Sequence, residues 1–174
     1  TEIGKFAFSW CTGLTSVDLS ACTNLTEIGW GAFDGCEGLM HVDFFACTNL
    51  TKIGESAFYG CTGLTEVKLP ASISQLVNNP FSGCTSLTTL TVDSSNTKYG
   101  SADNMIYTKD TNSLVCVAPG LAGSITVPAN IQTIGNEAFS GCTKLESVMM
   151  QNGVQLIGYA AFAHCQNLTH ITIP

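Results

Sequence analysis

The sequence predicts a parallel β-solenoid of about seven coils, on three observations. Phe recurs at Phe8, Phe33, Phe58, Phe81, Phe139 and Phe162, and each is followed three residues later by Cys11, Cys36, Cys61, Cys84, Cys142 or Cys165. An apolar–any–apolar triplet returns seven times, at spacings of 25, 25, 23, 35, 23 and 23 residues. An Ile or Leu file (Ile3, Ile28, Ile53, Leu76, Ile134, Ile157) runs ahead of the Phe file. Such self-similarity marks stacked repeats, each of which buries its apolar face only against a neighbour.

The triplets are the strands. In order they are Val17-Asp18-Leu19, Val42-Asp43-Phe44, Val67-Lys68-Leu69, Leu90-Thr91-Val92, Ile125-Thr126-Val127, Val148-Met149-Met150 and Ile171-Thr172-Ile173. Period-2 alternation turns the first and third residue inward and the middle one outward. One strand per coil pairs with its equivalent in the next coil, in parallel, about 4.8 Å away. Gly follows the Ile file at Gly4, Gly29, Gly54, Gly135 and Gly158, which suits a corner needing φ > 0 or close approach between coils. Phe is then the large filler and Cys the small one. Leu14, Leu39, Leu64, Leu87, Leu145 and Leu168 lead back to the strand. The 25-residue coils carry their two extra residues just after the strand, as in Ser20-Ala21-Cys22-Thr23-Asn24.

The 35-residue coil breaks the pattern. Asn104-Met105-Ile106-Tyr107, Thr108–Asn112 and Ser113-Leu114-Val115-Cys116-Val117 read as a β-hairpin, between turn-rich stretches at Asn96–Gly100 and Ala118-Pro119-Gly120. One domain is expected over 1–174: regular coils over 1–93, an irregular coil with the hairpin over 94–124, and regular coils over 125–174. Val77 in place of Gly and Pro80 in place of Ala, just before the hairpin, predict a local kink.

Composition narrows the function classes. The chain is 45% hydrophobic, only 11% charged, carries a net charge of −7 and takes all six of its basic residues from Lys. Nucleic acid and anionic membrane surfaces are disfavoured, since both demand concentrated positive charge. No apolar run approaches the roughly 18 residues of a membrane span. Eight of the nine cysteines occupy two repeat slots (Cys22 and Cys47 share the second), which favours buried free thiols over cross-coil disulfides or metal ligation. The chain starts and stops inside repeats, as an excised segment of a longer array would, and uncapped ends would allow end-to-end stacking.

On Leu64-Thr65-Glu66-Val67-Lys68-Leu69-Pro70 and Ile134-Gly135-Asn136-Glu137-Ala138-Phe139-Ser140-Gly141-Cys142-Thr143, the chain resembles the BspA-type leucine-rich repeats, the treponemal subclass. The resemblance covers essentially the whole chain. It implies a right-handed leucine-rich-repeat solenoid on a secreted or cell-surface protein of a host-associated microbe, engaged in adhesion to host proteins or other cells.

The outward strand residues form the one ordered surface to which a binding role can be assigned: Ser16, Asp18, His41, Asp43, Glu66, Lys68, Thr89, Thr91, Thr126, Ser147, Met149, His170 and Thr172. Solenoids bind across such faces because regular spacing preforms a wide surface. The expected partner is an extracellular protein or glycan, held by many polar contacts without any cofactor. A structural spacer, or an accessory module beside a catalytic domain, is the alternative. Asp18, Asp43 and Glu66 on successive strands could attract a cation, although pairing of Asp43 with Lys68 is the simpler arrangement. Ser16, His41 and Asp43 do not make a hydrolase, for a flat sheet face has neither oxyanion hole nor water-excluding pocket. The chain is therefore read as non-enzymatic. His164 is read as a surface residue. Asn24-Leu25-Thr26, Asn49-Leu50-Thr51 and Asn167-Leu168-Thr169 fit the glycosylation acceptor, but the repeat itself generates that triplet.

Overall fold

The computed structural model describes residues 1–174 and contains strands and turns but no helix. The first four coils contribute two strands each: β1 (Glu2–Ile3), β2 (Ser16–Val17), β3 (Glu27–Ile28), β4 (His41–Val42), β5 (Lys52–Ile53), β6 (Glu66–Leu69), β7 (Gln75–Leu76) and β8 (Thr89–Val92). The irregular coil holds β9 (Tyr99–Ala102), β10 (Met105–Thr108) and β11 (Ser113–Val117). The chain then continues through β12 (Gly123–Thr126), β13 (Thr133–Ile134), β14 (Leu145–Met149), β15 (Leu156–Ile157) and β16 (His170–Thr172).

All seven expected strands are present and pair in parallel, as β2-β4-β6-β8 and as β12-β14-β16. The Ile file forms a second parallel ladder, β1-β3-β5-β7, where the sequence indicated only a corner. Its strands are two residues long, too short for alternation to reveal them. The Gly after Ile28, Ile53, Ile134 and Ile157 is there for close approach to the preceding coil, not for its φ. A Cβ at Gly54 would lie 2.7 Å from the Trp30 backbone nitrogen. Left-handed backbone falls instead on the Gly before each Cys, such as Gly60 at φ 66°, and on its equivalents Trp10 and His164 at φ 61° and 59°.

The interior is a set of columns. Phe8, Phe33, Phe58 and Phe81 stack face to face, with centroids 5.1, 5.1 and 5.6 Å apart, and Phe139 stacks on Phe162 at 4.6 Å. Each stacked pair adds about 0.5–1.5 kcal/mol beyond the area it buries. The thiols form a second column and are all free. Cys36, Cys61, Cys84 and Cys165 donate S–H to the Phe carbonyl of the coil before, at 3.0, 3.2, 3.0 and 3.1 Å. Burial pushes the Cys36 thiol up to about 11 and that of Cys116 up to about 12, because a thiolate there would be desolvated.

The hairpin coil interrupts both ladders: β7 ends the first inner one, where the Leu76 N–H donates to the Tyr99 hydroxyl at 3.0 Å, and β11 begins a second with β13 and β15. Asp103 and Asn104 both take positive φ (51° and 61°), the two-residue turn that best matches strand twist. Strand β9 therefore pairs with β10 as a third strand, which corrects the reading of Asn96–Gly100 as turn alone. Strand β10 pairs with β11, and β11 passes into parallel register with β13. Alternate residues serve both sides: Ile106 and Cys116 join the core of the preceding coils, Met105 and Val117 that of the following ones. At the site marked by Val77 and Pro80, buried Asn79 donates its amide to the Glu137 carbonyl at 2.9 Å, and Ser82 donates to the Ser140 hydroxyl at 2.9 Å. The fourth and sixth coils are thus tied directly together on that side.

Three outcomes follow from this packing. Phe58→Ala should destabilise by about 3–5 kcal/mol in urea unfolding, because it removes one plate from a closed stack. His164→Gly should raise Tm by about 2–4 °C, by relieving a left-handed backbone at an exposed site, worth of order 1 kcal/mol. Iodoacetamide at about pH 8 should label exposed Cys11 and spare Cys61, Cys84, Cys116 and Cys142 until denaturant is added, as read by mass spectrometry.

Candidate binding face

Strand register decides which outward side chains meet. Ser16, His41, Glu66 and Thr89 stand in one row across β2, β4, β6 and β8, and Lys68 stands beside Thr91. Asp18 and Asp43 lie just past the ends of β2 and β4. On the far ladder, Ser147 lies beside His170, while Thr126, Met149 and Thr172 form a second row. The thirteen predicted residues therefore fall into two groups, eight before the hairpin coil and five after it. The reason is visible at β8. Its Leu90 and Val92 N–H groups donate to Asn104 Oδ1 (3.3 Å) and Ser101 Oγ (3.2 Å), so hairpin side chains cover that edge in place of a strand.

The first group borders a concavity. A groove of about 1140 Å³ runs along the ends of the first four outer strands, over Ser16, Asp18, His41, Asp43, Lys68 and Thr91. Its far wall is the corner that follows the strands, with Phe45, Pro70, Ser72 and Asp93. Glu66 and Thr89 belong to the same face but lie outside the groove. Phe45 and Asp93 were not singled out from the sequence. Phe45 is 89% exposed, although its neighbour Phe44 is buried edge-on against Phe58. The available signal was position: Phe45 follows the inward third residue of its triplet, in the slot held elsewhere by Ser20 and Pro70.

The carboxylates on this face organise the corner. Asp18 Oδ1 accepts from the Ser20 N–H (2.9 Å), and Asp43 Oδ1 accepts from the Phe45 N–H (2.8 Å). Asp93 Oδ1 accepts from both the Ser95 hydroxyl (2.6 Å) and its N–H (2.8 Å). The serine hydrogen bonds hold the Asp18 and Asp93 carboxyls below the usual range, so both remain ionised in mild acid. Asp43 does not pair with Lys68, contrary to expectation. The Lys68 ammonium meets Glu66 Oε1 at 2.7 Å, two residues back on its own strand, because the Asp43 carboxylate is turned toward its own corner. The three acids at this end do not converge either: no group of three or more His, Cys, Asp or Glu could hold a metal ion. No helix is long and apolar enough to cross a membrane.

The geometry has counterparts among solved structures. A leucine-rich cell-surface protein from Faecalibacterium prausnitzii A2-165 is 28% identical, with a TM-score of 0.73 over 99% of this chain and 51% of its own. The pneumococcal vaccine antigen PcpA (24% identity, TM-score 0.64, 86% of this chain and 43% of its own) shares the fold. So does a leucine-rich repeat protein from Eubacterium ventriosum ATCC 27560 (20%, 0.64, 98% and 57%). This chain spans about half the length of those proteins. No curated protein matches it. The BspA-type leucine-rich repeat region matches in six copies, over residues 1–107 and 121–174, leaving out the hairpin turn, all of β11 and the turn that follows it. With its repeats stacked as that pattern requires, the chain belongs to the BspA-type leucine-rich repeat family.

Proposed function

We propose that this chain is a non-enzymatic binding module of a secreted or cell-surface protein, and that it captures an extracellular protein or glycan on the outer-strand groove. The observation that carries this reading is the groove itself, preformed by four consecutive coils whose backbones are locked in register. A preformed face costs little ordering entropy on binding, so many weak polar contacts can add up. The volume, about 1140 Å³, exceeds the 300–1,000 Å³ usual for small-molecule sites, which favours a segment of polymer over a metabolite. The relationship to a leucine-rich cell-surface protein supports the location. Adhesion is the role that such a surface module would serve.

Filling the groove tests this. Ser16→Trp with Thr91→Trp adds bulk to its floor at side chains outside the core. On an array of extracellular-matrix proteins and glycans, the double variant should lose about tenfold or more in capture of any ligand that the unsubstituted chain retains, a difference near 1.4 kcal/mol. Equal capture by both proteins would place binding elsewhere.

A further inference from the structure

The chemistry of the groove says more than its size, on the reading that it is the binding face. It crosses four coils, three steps of about 4.8 Å, and so spans about 14 Å, the length of some four extended residues. Three carboxylates border it, from Asp18, Asp43 and Asp93. Each commits one oxygen, Oδ1, to a turn within its own corner, leaving Oδ2 without a partner in the chain. The one cation on the groove, Lys68, is already paired with Glu66. Lys98 and Lys109 are held on the Ser74 and Asn96 carbonyls and pair with no carboxylate, in a chain of net charge −7 without arginine. Between the carboxylates stands Phe45, 89% exposed, its backbone anchored by the Asp43 hydrogen bond. An uncovered ring flanked by carboxylates matches a guanidinium or ammonium, which pairs with the oxygens and lies flat on the ring face. It also repels acidic glycans and acidic peptides.

We propose that the groove holds an extended segment of a partner protein rich in arginine or lysine, with its cationic heads on Asp18, Asp43 and Asp93 and one side chain laid over Phe45. Neutral sugars are the competing occupant, and the test separates the two.

The probe is a fluorescein-labelled hexapeptide alternating arginine with glycine and tryptophan, read by anisotropy with the full chain at about 50 and 300 mM salt. An otherwise identical peptide with glutamate for arginine, and neutral maltoheptaose and cellohexaose as competitors, complete the set. The arginine peptide should bind and weaken with salt; the glutamate peptide should not bind; the sugars should not displace. Asp18→Asn with Asp43→Asn and Asp93→Asn keeps every turn acceptor and removes only charge. It should cost about tenfold or more in affinity, and Phe45→Ala about fivefold. Glu37→Gln with Asp110→Asn and Glu146→Gln removes the same charge away from the groove and should change affinity less than about twofold. The proposal is overturned if the arginine peptide shows no binding at about 1 mM, if the two triple variants lose affinity equally, or if the neutral sugars displace it. Should Ser16→Trp/Thr91→Trp abolish capture of an array ligand while the arginine peptide fails, the groove remains the binding face and only its cationic occupant is wrong. If both fail, both readings fall.

Discussion

Everything in this molecule depends on superposition: a residue in one slot must sit on the residue in the same slot of the next coil. The constraint is sharpest where the Phe and Cys columns run side by side. The rings of Phe33 and Phe58 are within 8° of parallel at 5.1 Å, and that spacing brings the Cys61 thiol within hydrogen-bonding distance of the Phe33 carbonyl. A small donor is needed beside a large plate, and Cys is the residue that is both small and apolar enough to be buried there. The thiols are thus structural, which explains why they lie in a file without pairing. The carbonyl they reach belongs to a turn and also accepts the backbone N–H of the Cys in its own coil, so the thiol is its second donor.

The irregular coil shows how far that constraint can be relaxed. Neither ladder passes through it unbroken: β7 and β8 both end there, and parallel pairing resumes on the inner side at β11, while the core remains filled by alternate residues of β10 and β11. Edge groups on β8 are satisfied by Asn104 and Ser101 side chains, so an open edge is avoided without adding a strand. Division of the outer face is the functional consequence: four coils share one groove, and the last three carry a separate row of Thr126, Met149 and Thr172.

Turn chemistry and the proposed binding chemistry overlap at the corner of the groove. Asp18, Asp43 and Asp93 each cap a backbone N–H two residues on, a local role common to Asp in turns. The serine hydrogen bonds hold the Asp18 and Asp93 carboxyls below the usual range, and the Asp43 bond fixes the backbone beneath Phe45. A surface of this kind has its carboxylates and the backbone beneath the ring in place beforehand, which lowers the ordering cost of any binding there.

The sequence by itself determined the repeat, the seven strand triplets, the inward Phe and Cys files and the hairpin, because each is a local pattern that recurs and side-chain alternation has a period of two. It also determined which side of each strand faces out, hence Ser16, His41, Lys68 and Thr91 as candidates. Only the tertiary structure decided that these meet in a groove while Thr126 and Met149 do not, since that turns on how hairpin side chains cover β8, a contact across coils with no periodic signature. The same holds for the exposure of Phe45 beside buried Phe44 and for Lys68 choosing Glu66 over Asp43. Identical residue types could take either role, and the choice rests on which hydrogen bonds the corner has already claimed.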